Sequence, residues 1–274
     1  RMEKGCGSMR IAVITGASSG MGMETAIQLA DRYGRYLDEI WLIARRGERM
    51  EALKGKLPVA LRLFPMDITD RIQLERLRLA LEEERPRVLF LVNAAGFGKI
   101  GTIGSLPLET EAGMVRLNCQ ALCTVTHLVL PYMADRGRIL QYASSAAFLP
   151  QPGFAIYAAT KAFVLSYSRA LNVELRNRGI CVTAVCPGPV KTEFFDIAET
   201  TGQIPLYKRL TMADPVKVVR KAIRDSAAGK TVSVYGLLMK LFYLAAKVLP
   251  HSLILKGWEM LDEKILKTGE TTDA

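Results

Sequence analysis

Tyr157 and Lys161 stand four residues apart in Tyr157-Ala-Ala-Thr-Lys161. On a helix that spacing puts phenol and ammonium on one face. A neighbouring cation favours phenolate and lowers a tyrosine pKa from about 10, which makes the phenol a general acid or base near neutral pH. Ser144 lies upstream at the end of a predicted strand, placed to bond the same reacting oxygen. Gly16, Gly20 and Gly22 form a G-x-x-x-G-x-G turn between the apolar run from Ile11 and the helical stretch Met23-Glu-Thr-Ala-Ile-Gln-Leu-Ala30. The free N–H groups of a helix start and the positive end of its dipole make an anion site that suits a pyrophosphate. Glycines there let the backbone approach the ligand and let helix pack on strand. A lone Tyr/Lys pair is commonly just an amphipathic surface helix; its coincidence with the phosphate turn is what gives it weight.

The other strand ends add detail. Ala44-Arg45-Arg46 carries no acid where a ribose hydroxyl would need one. Two guanidiniums favour a 2′-phosphate by bidentate, charge-assisted bonds, so NADP(H) is expected ahead of NAD(H). Asn93-Ala94-Ala95-Gly96 is small enough to admit an adenine ribose beside the backbone. A competing pattern is Gly16-Ala17-Ser18-Ser19-Gly20, which fits the G-x-S-x-G elbow of a serine hydrolase with Ser18 as nucleophile. That elbow needs an acid and then a histidine downstream, and the chain offers only His127 and His251. A third reading is a non-catalytic dinucleotide-binding partner or sensor, although such proteins usually lose the tyrosine or the lysine.

These residues need strands to carry them. Strands are expected over 11–15, 39–44, 60–65, 87–92, 138–143, 180–185 and 231–235. Helices are expected over 48–56, 72–84, 109–133, 156–178 and 214–228, the last with Asp214-Pro215 at its start. Alternation of this kind implies an α/β fold: a Rossmann-type, doubly wound parallel sheet of about seven strands with helices on both faces. Ligands then sit at the carboxyl ends of the strands, where strand order reverses, and each motif above falls at such an end.

The 274 residues suffice for one large domain with a buried core. The formal charge is +10, but the bases are scattered among acids without a basic, aromatic-laced stripe, which argues against nucleic acid. Cys6, Cys119, Cys123, Cys181 and Cys186 form no C-x-x-C pair, pointing to a reduced, cytoplasmic protein. With two histidines no metal site is expected. Residues 1–8 read as a leader or vector-derived remnant before Met9.

From Met9 to about Gly236 the chain resembles a classical short-chain dehydrogenase/reductase. The resemblance rests on Thr15-Gly16-x-x-x-Gly20-x-Gly22, Asn93-Ala94-Ala95-Gly96, Asn118, Ser144, Tyr157-x-x-x-Lys161 and Pro187-Gly188-x-x-x-Thr192, in order and at family spacing. It implies an NADP(H)-dependent oxidoreductase that interconverts a carbonyl and a secondary alcohol by direct hydride transfer. By resemblance, Tyr157 is the proton donor or acceptor, and Lys161 lowers its pKa and holds the nicotinamide ribose. Ser144 polarises the carbonyl, and Asn118 holds a relay water. Ser18, Ser19 and Met21 line the pyrophosphate turn, and Asp67 and Ile68 flank the adenine. Thr192, after Pro187, Gly188 and Val190, bonds the carboxamide. Arg45 is the expected 2′-phosphate contact, with Arg46 beside it. Two positions depart from the family pattern: Ser19 stands where many NADP-preferring relatives carry a base, and Ala147 where many have glycine. The family habit is a homodimer or homotetramer acting on a small molecule.

A substrate lid is expected over about 193–211, where Phe194, Phe195, Ile197, Ile204, Leu206 and Tyr207 imply an apolar pocket. Residues 237–249 form an apolar stretch ended by Pro250 and marked by Lys240 and Lys247. Its roles are, in order of preference, cover for the substrate mouth, oligomer contact, and contact with a membrane surface. Apolar cover there points to a steroid-like or fatty acyl substrate, or to a small ketone or aldehyde.

Overall fold

Apolar residues on both sides of each central strand force a sheet buried between two helical layers. In strand β1 (Arg10–Thr15), Ile11 and Val13 enter one core while Ala12 and Ile14 enter the other. The computed structural model describes residues 8–194, 198, 212–253 and 255–256. After β1 come α1 (Gly20–Tyr33), β2 (Glu39–Ala44), α2 (Gly47–Glu51), β3 (Ala60–Pro65), α3 (Arg71–Glu84) and β4 (Arg87–Asn93). Next are α4 (Leu108–Val115), a π-helical turn (Arg116–Ala121), α5 (Leu122–Val129) and β5 (Met133–Tyr142). The described chain ends with α6 (Ala155–Glu174), β6 (Cys181–Val185), α7 (Pro215–Ala227), β7 (Val232–Ser233) and α8 (Leu237–Val248).

The seven strands run in the order β3-β2-β1-β4-β5-β6-β7, and every pairing is parallel. Order reverses between β1 and β4, the switch point where a crevice opens beyond the strand ends. One face is covered by α3, α5 and α6, through Leu77, Val125 and Leu171. The other is covered by α1, α2 and α7, through Leu29, Met50 and Ala222. Asp70 and Asp214 accept backbone N–H groups at the starts of α3 and α7, and Pro215 opens α7 as expected.

Five boundaries differ from expectation. Strand β5 begins at Met133 rather than at 138, so α5 ends at Val129 and a short 3-10 turn joins the two. Helix α2 stops at Glu51, because residues beyond it close short turns and Gly55 adopts φ +72°. The long helix 109–133 is interrupted by the π-helical turn that carries Asn118. Helix α6 ends at Glu174, followed by a short 3-10 turn closed by left-handed Gly179. Strand β7 keeps only Val232 and Ser233, the residues that find partners on β6. Among the described residues no helix is long and apolar enough to cross a membrane, and no cluster of His, Cys, Asp and Glu is placed to hold a metal.

Candidate active site

Strand ends and one helix bring the expected catalytic side chains together. Ser144 follows β5 in an extended conformation (φ −167°). Tyr157 and Lys161 lie one turn apart on α6, each only 6% exposed. Ser144 hydrogen-bonds to the Tyr157 phenol and accepts from Ala146 N at 3.1 Å. The Lys161 ammonium lies 5.6 Å over the centre of the Tyr157 ring and donates to the Tyr142 carbonyl at 2.8 Å. Tyr142 thus links both sides of the sheet: its carbonyl takes Lys161, and its hydroxyl bonds Thr25 of α1 at 2.6 Å.

The electrostatics differ from the expectation that Lys161 lowers the phenol's pKa. Burial pushes Tyr157 well above the usual tyrosine value, and the Ser144 hydrogen bond only partly offsets this. Burial also drives Lys161 down, from 10.5 to about 8. Desolvation is the largest influence on both groups.

Asn118 holds the floor. Its Oδ1 accepts from Phe97 N at 3.0 Å, and its Nδ2 donates to Phe97 O and to Thr160 of α6 at 2.9 and 3.0 Å. The π-turn re-aims this side chain, a common use of such bulges. A Cβ on Gly96 would lie 2.9 Å from Asn118 Oδ1 and 3.3 Å from Lys161 Nζ. Gly96, Asn118 and Lys161 therefore meet, and the Asn118 side chain, expected to hold a relay water, braces Phe97 and α6.

The glycine turn is built for close approach. Gly16 has φ +69°, and a Cβ there would sit 2.6 Å from Ala95 N. A Cβ on Gly22 would sit 2.3 Å from Gly16 O. Thr15 Oγ1 ties the turn to β4 by accepting from Ala94 N and Ala95 N at 3.2 and 3.3 Å. Helix α1 has no side-chain cap, so its first N–H groups and dipole are presented to the crevice. Arg46 leans over the same turn, donating from Nη2 to Ser19 Oγ at 2.8 Å and from Nε to Ser18 Oγ at 3.4 Å. This donor set fits the pyrophosphate of an anionic dinucleotide at the α1 start.

Some expected contacts sit differently. Arg45 is exposed, and Arg46 rather than Arg45 touches the turn. The Asn93 side chain donates to Thr126 at 3.0 Å, holding α5 to β4. Asp67 Oδ1 accepts from the backbone and hydroxyl of Thr69, and Ile68 is buried in the core. Met21 lies against the α1 core layer. Ser145 N donates to Pro187 O at 2.8 Å, and Thr192 packs within 3.6 Å of where a Gly20 Cβ would lie, so the Pro187–Thr192 segment borders both centres. Val190 forms a bridge with Ala213. Of the expected lid, Phe194 is described and lies 5.3 Å from Tyr157, ring to ring. Phe195, Ile197, Ile204, Leu206 and Tyr207 lie outside the described residues. Ser18 is 6% exposed and takes no hydrogen bond from His127 or His251 among the described residues, so it lacks the histidine a hydrolase elbow needs.

Three neighbours escape the motif reading. Phe154 stacks on Tyr157 at 4.3 Å. Its place three residues before Tyr157, at the N-cap of α6, could have flagged it. Gly98 is required by space: a Cβ there would lie 2.6 Å from Tyr157 Cδ2 and 2.9 Å from Phe154 Cζ. Glu193 pairs with Arg46 at 3.0 Å and with Arg49. Its carboxyl sits below the usual range, chiefly through Arg49.

Comparison with known proteins agrees with this geometry. Residues 10–201 match the family described as short chain dehydrogenase. The chain is 36% identical over 188 residues to serine 3-dehydrogenase of Rhizobium radiobacter, spanning 66% of this chain and 72% of that one. It superposes with a TM-score of 0.74 and 28% identity on a short-chain dehydrogenase from Sphingobium yanoikuyae in complex with NADPH, covering 97% and 96% of the two chains. A bulky-bulky ketone specific alcohol dehydrogenase from Comamonas testosteroni aligns with a TM-score of 0.69 and 25% identity, covering 98% and 96%. On its fold, its motifs and these matches, the chain belongs to the short-chain dehydrogenase family of oxidoreductases.

Proposed function

We propose that the protein is an NADP(H)-dependent oxidoreductase that interconverts an apolar ketone or aldehyde and its alcohol. The observation that carries this reading is the convergence of the Ser144 hydroxyl, the Tyr157 phenol and the Lys161 ammonium at the end of β5. The nicotinamide, when bound, supplies the hydride. Ser144 and Tyr157 direct their hydroxyls at the carbonyl oxygen, and Tyr157 donates its proton as charge develops there. The raised phenol pKa keeps that proton in place at neutral pH. Lys161 supplies positive charge beneath the phenol and a donor toward the nicotinamide ribose.

Support for the 2′-phosphorylated cofactor comes from Arg46 just after β2 and Arg49 in α2, both paired with Glu193, and from the lack of an acid in the sequence at the end of β2. Preference for an apolar substrate rests on Phe97, Leu106, Phe154 and Phe194 around Tyr157. The bulky-ketone specificity printed for the Comamonas neighbour points the same way. The test is oxidation of NADPH against a panel of small and bulky ketones and aldehydes, beside a Tyr157→Phe variant. Loss of turnover by about a hundredfold or more in the variant is expected, and equal turnover would overturn the assignment.

A further inference from the structure

Helix α8 carries apolar side chains on two opposed faces. Met239, Phe242, Tyr243 and Ala246 pack against the core cluster that holds Phe148, Val164 and Val234. Half a turn away, Leu237, Leu241, Leu244 and Val248 recur at helical spacing and are 73, 55, 56 and 81% exposed. Exposed Leu238, Leu249 and Leu253 widen and lengthen the patch. A contiguous apolar row of this size marks an interaction surface.

Its charge pattern selects the partner. Between Leu237 and Leu253 there is no Asp or Glu. Lys240 and Lys247 are exposed along one flank of the row. On that flank the Lys247 ammonium lies 4.4 Å over the Tyr243 ring, and Arg169 donates to the Tyr243 hydroxyl at 2.7 Å. A second copy meeting this patch through a two-fold axis would set it against itself, with three cations and no acid from either helix to answer them. An anionic lipid surface answers both halves: the leucine row enters the headgroup–acyl boundary, and the cations meet phosphates. His251 and Leu255, just past the helix, line an apolar cavity of about 480 Å³ with Leu149, Pro150 and Ala155, which carries the apolar surface on to α6.

We propose that α8 is an interfacial helix that docks the protein on an anionic bilayer, lying in its surface rather than crossing it. The dock is joined to the Pro187–Gly188 turn, because Met239 packs against Gly188, where a Cβ would lie 2.6 Å from its sulfur.

The test is flotation of the full chain with two sets of vesicles, one of equal parts phosphatidylglycerol and phosphatidylcholine, the other of phosphatidylcholine alone. Two lysines at the surface correspond to roughly thirtyfold stronger partition on to the anionic set at low salt. A Leu241→Glu, Leu244→Glu variant should stay with the protein fraction while keeping the wild-type thermal unfolding curve, since both side chains are exposed. Lys240→Gln with Lys247→Gln should bring anionic and neutral vesicles close to parity. Wild-type protein that floats with neither set, or equally with both, overturns the proposal. So does a wild-type dimer, seen by sedimentation, that the leucine variant converts to monomer without any vesicle binding.

Discussion

Arg46 Nη1 lies 3.0 Å from Glu193 Oε2, while Nη2 of the same guanidinium donates to Ser19 Oγ at 2.8 Å. One side chain thus joins the phosphate turn to the first residues after Thr192. A 2′-phosphate would draw on the guanidiniums that Glu193 already neutralises. Glu193→Gln should therefore tighten NADPH binding about two- to fivefold, the worth of a partly exposed ion pair. NADH binding should stay unchanged. Quenching of protein fluorescence by each cofactor measures both; equal shifts for the two would show that Glu193 takes no part in discrimination.

Gly98 faces Tyr157 with no room for a methyl group. Gly98→Ala should move Tyr157 or Phe154 off its present rotamer, at a cost of about 1–3 kcal/mol of stability. The expected signature is a kcat reduced tenfold or more, because misplacing a reacting group by about an ångström is that costly. Steady-state kinetics alongside urea unfolding would separate the two effects.

Lys161 loses its proton near pH 8, whereas Tyr157 holds its own well above that. The kcat/KM for carbonyl reduction should accordingly fall as pH rises through about 8. The limb belongs to the amine, not the phenol. Lys161→Arg, whose guanidinium stays charged, should lower the rate yet push that limb to higher pH. An unmoved limb would assign it elsewhere.

Stability should carry the same titration. Lys161 binds protons less readily folded than unfolded, so its burial penalty is full below about pH 8 and fades as pH rises toward 10.5. A Lys161→Met variant escapes the penalty. Its stability relative to wild type should be greatest near neutral pH and shrink on the alkaline side, read from urea midpoints.

Asp225 is the polar clamp between α7 and β7. Its side chain, 4% exposed, pairs with Lys221 at 2.6 Å and Lys230 at 3.0 Å and accepts from Ser233 Oγ at 2.7 Å. Burial works to raise its pKa, but Lys221, Ser233 and Lys230 outweigh it and hold the carboxyl below its usual value. Its contribution is present above about pH 4 and lost as pH falls through the lowered value. Asp225→Asn should cost about 1.5–3 kcal/mol at neutral pH, with the gap closing in acid. Denaturant midpoints at the two pH values check this.

The strands, their parallel order and the Ser144–Tyr157–Lys161 set were legible from local pattern. A strand buried on both faces announces itself as an apolar run, and a phosphate turn as spaced glycines. A helical pair announces itself as an interval of four. Each signal spans a few neighbouring residues, so one chain suffices to read it.

What the pattern could not carry was competition between distant groups. Burial lowers the Lys161 pKa, while its hydrogen bond to the carbonyl of Tyr142, 19 residues away, favours the charged form, so the pair's protonation departs from the simple two-charge picture. That Arg46 reaches the phosphate turn depends on Ser19 and Glu193, 27 and 147 residues away along the chain. The interval of α8 marked both its faces as apolar. Only packing against Phe148 and Val164 decided which face was spent inside and which was left for a partner. Sequence spacing determines which groups can share a surface; tertiary packing sets their water access and neighbours, and hence their charge and free donors.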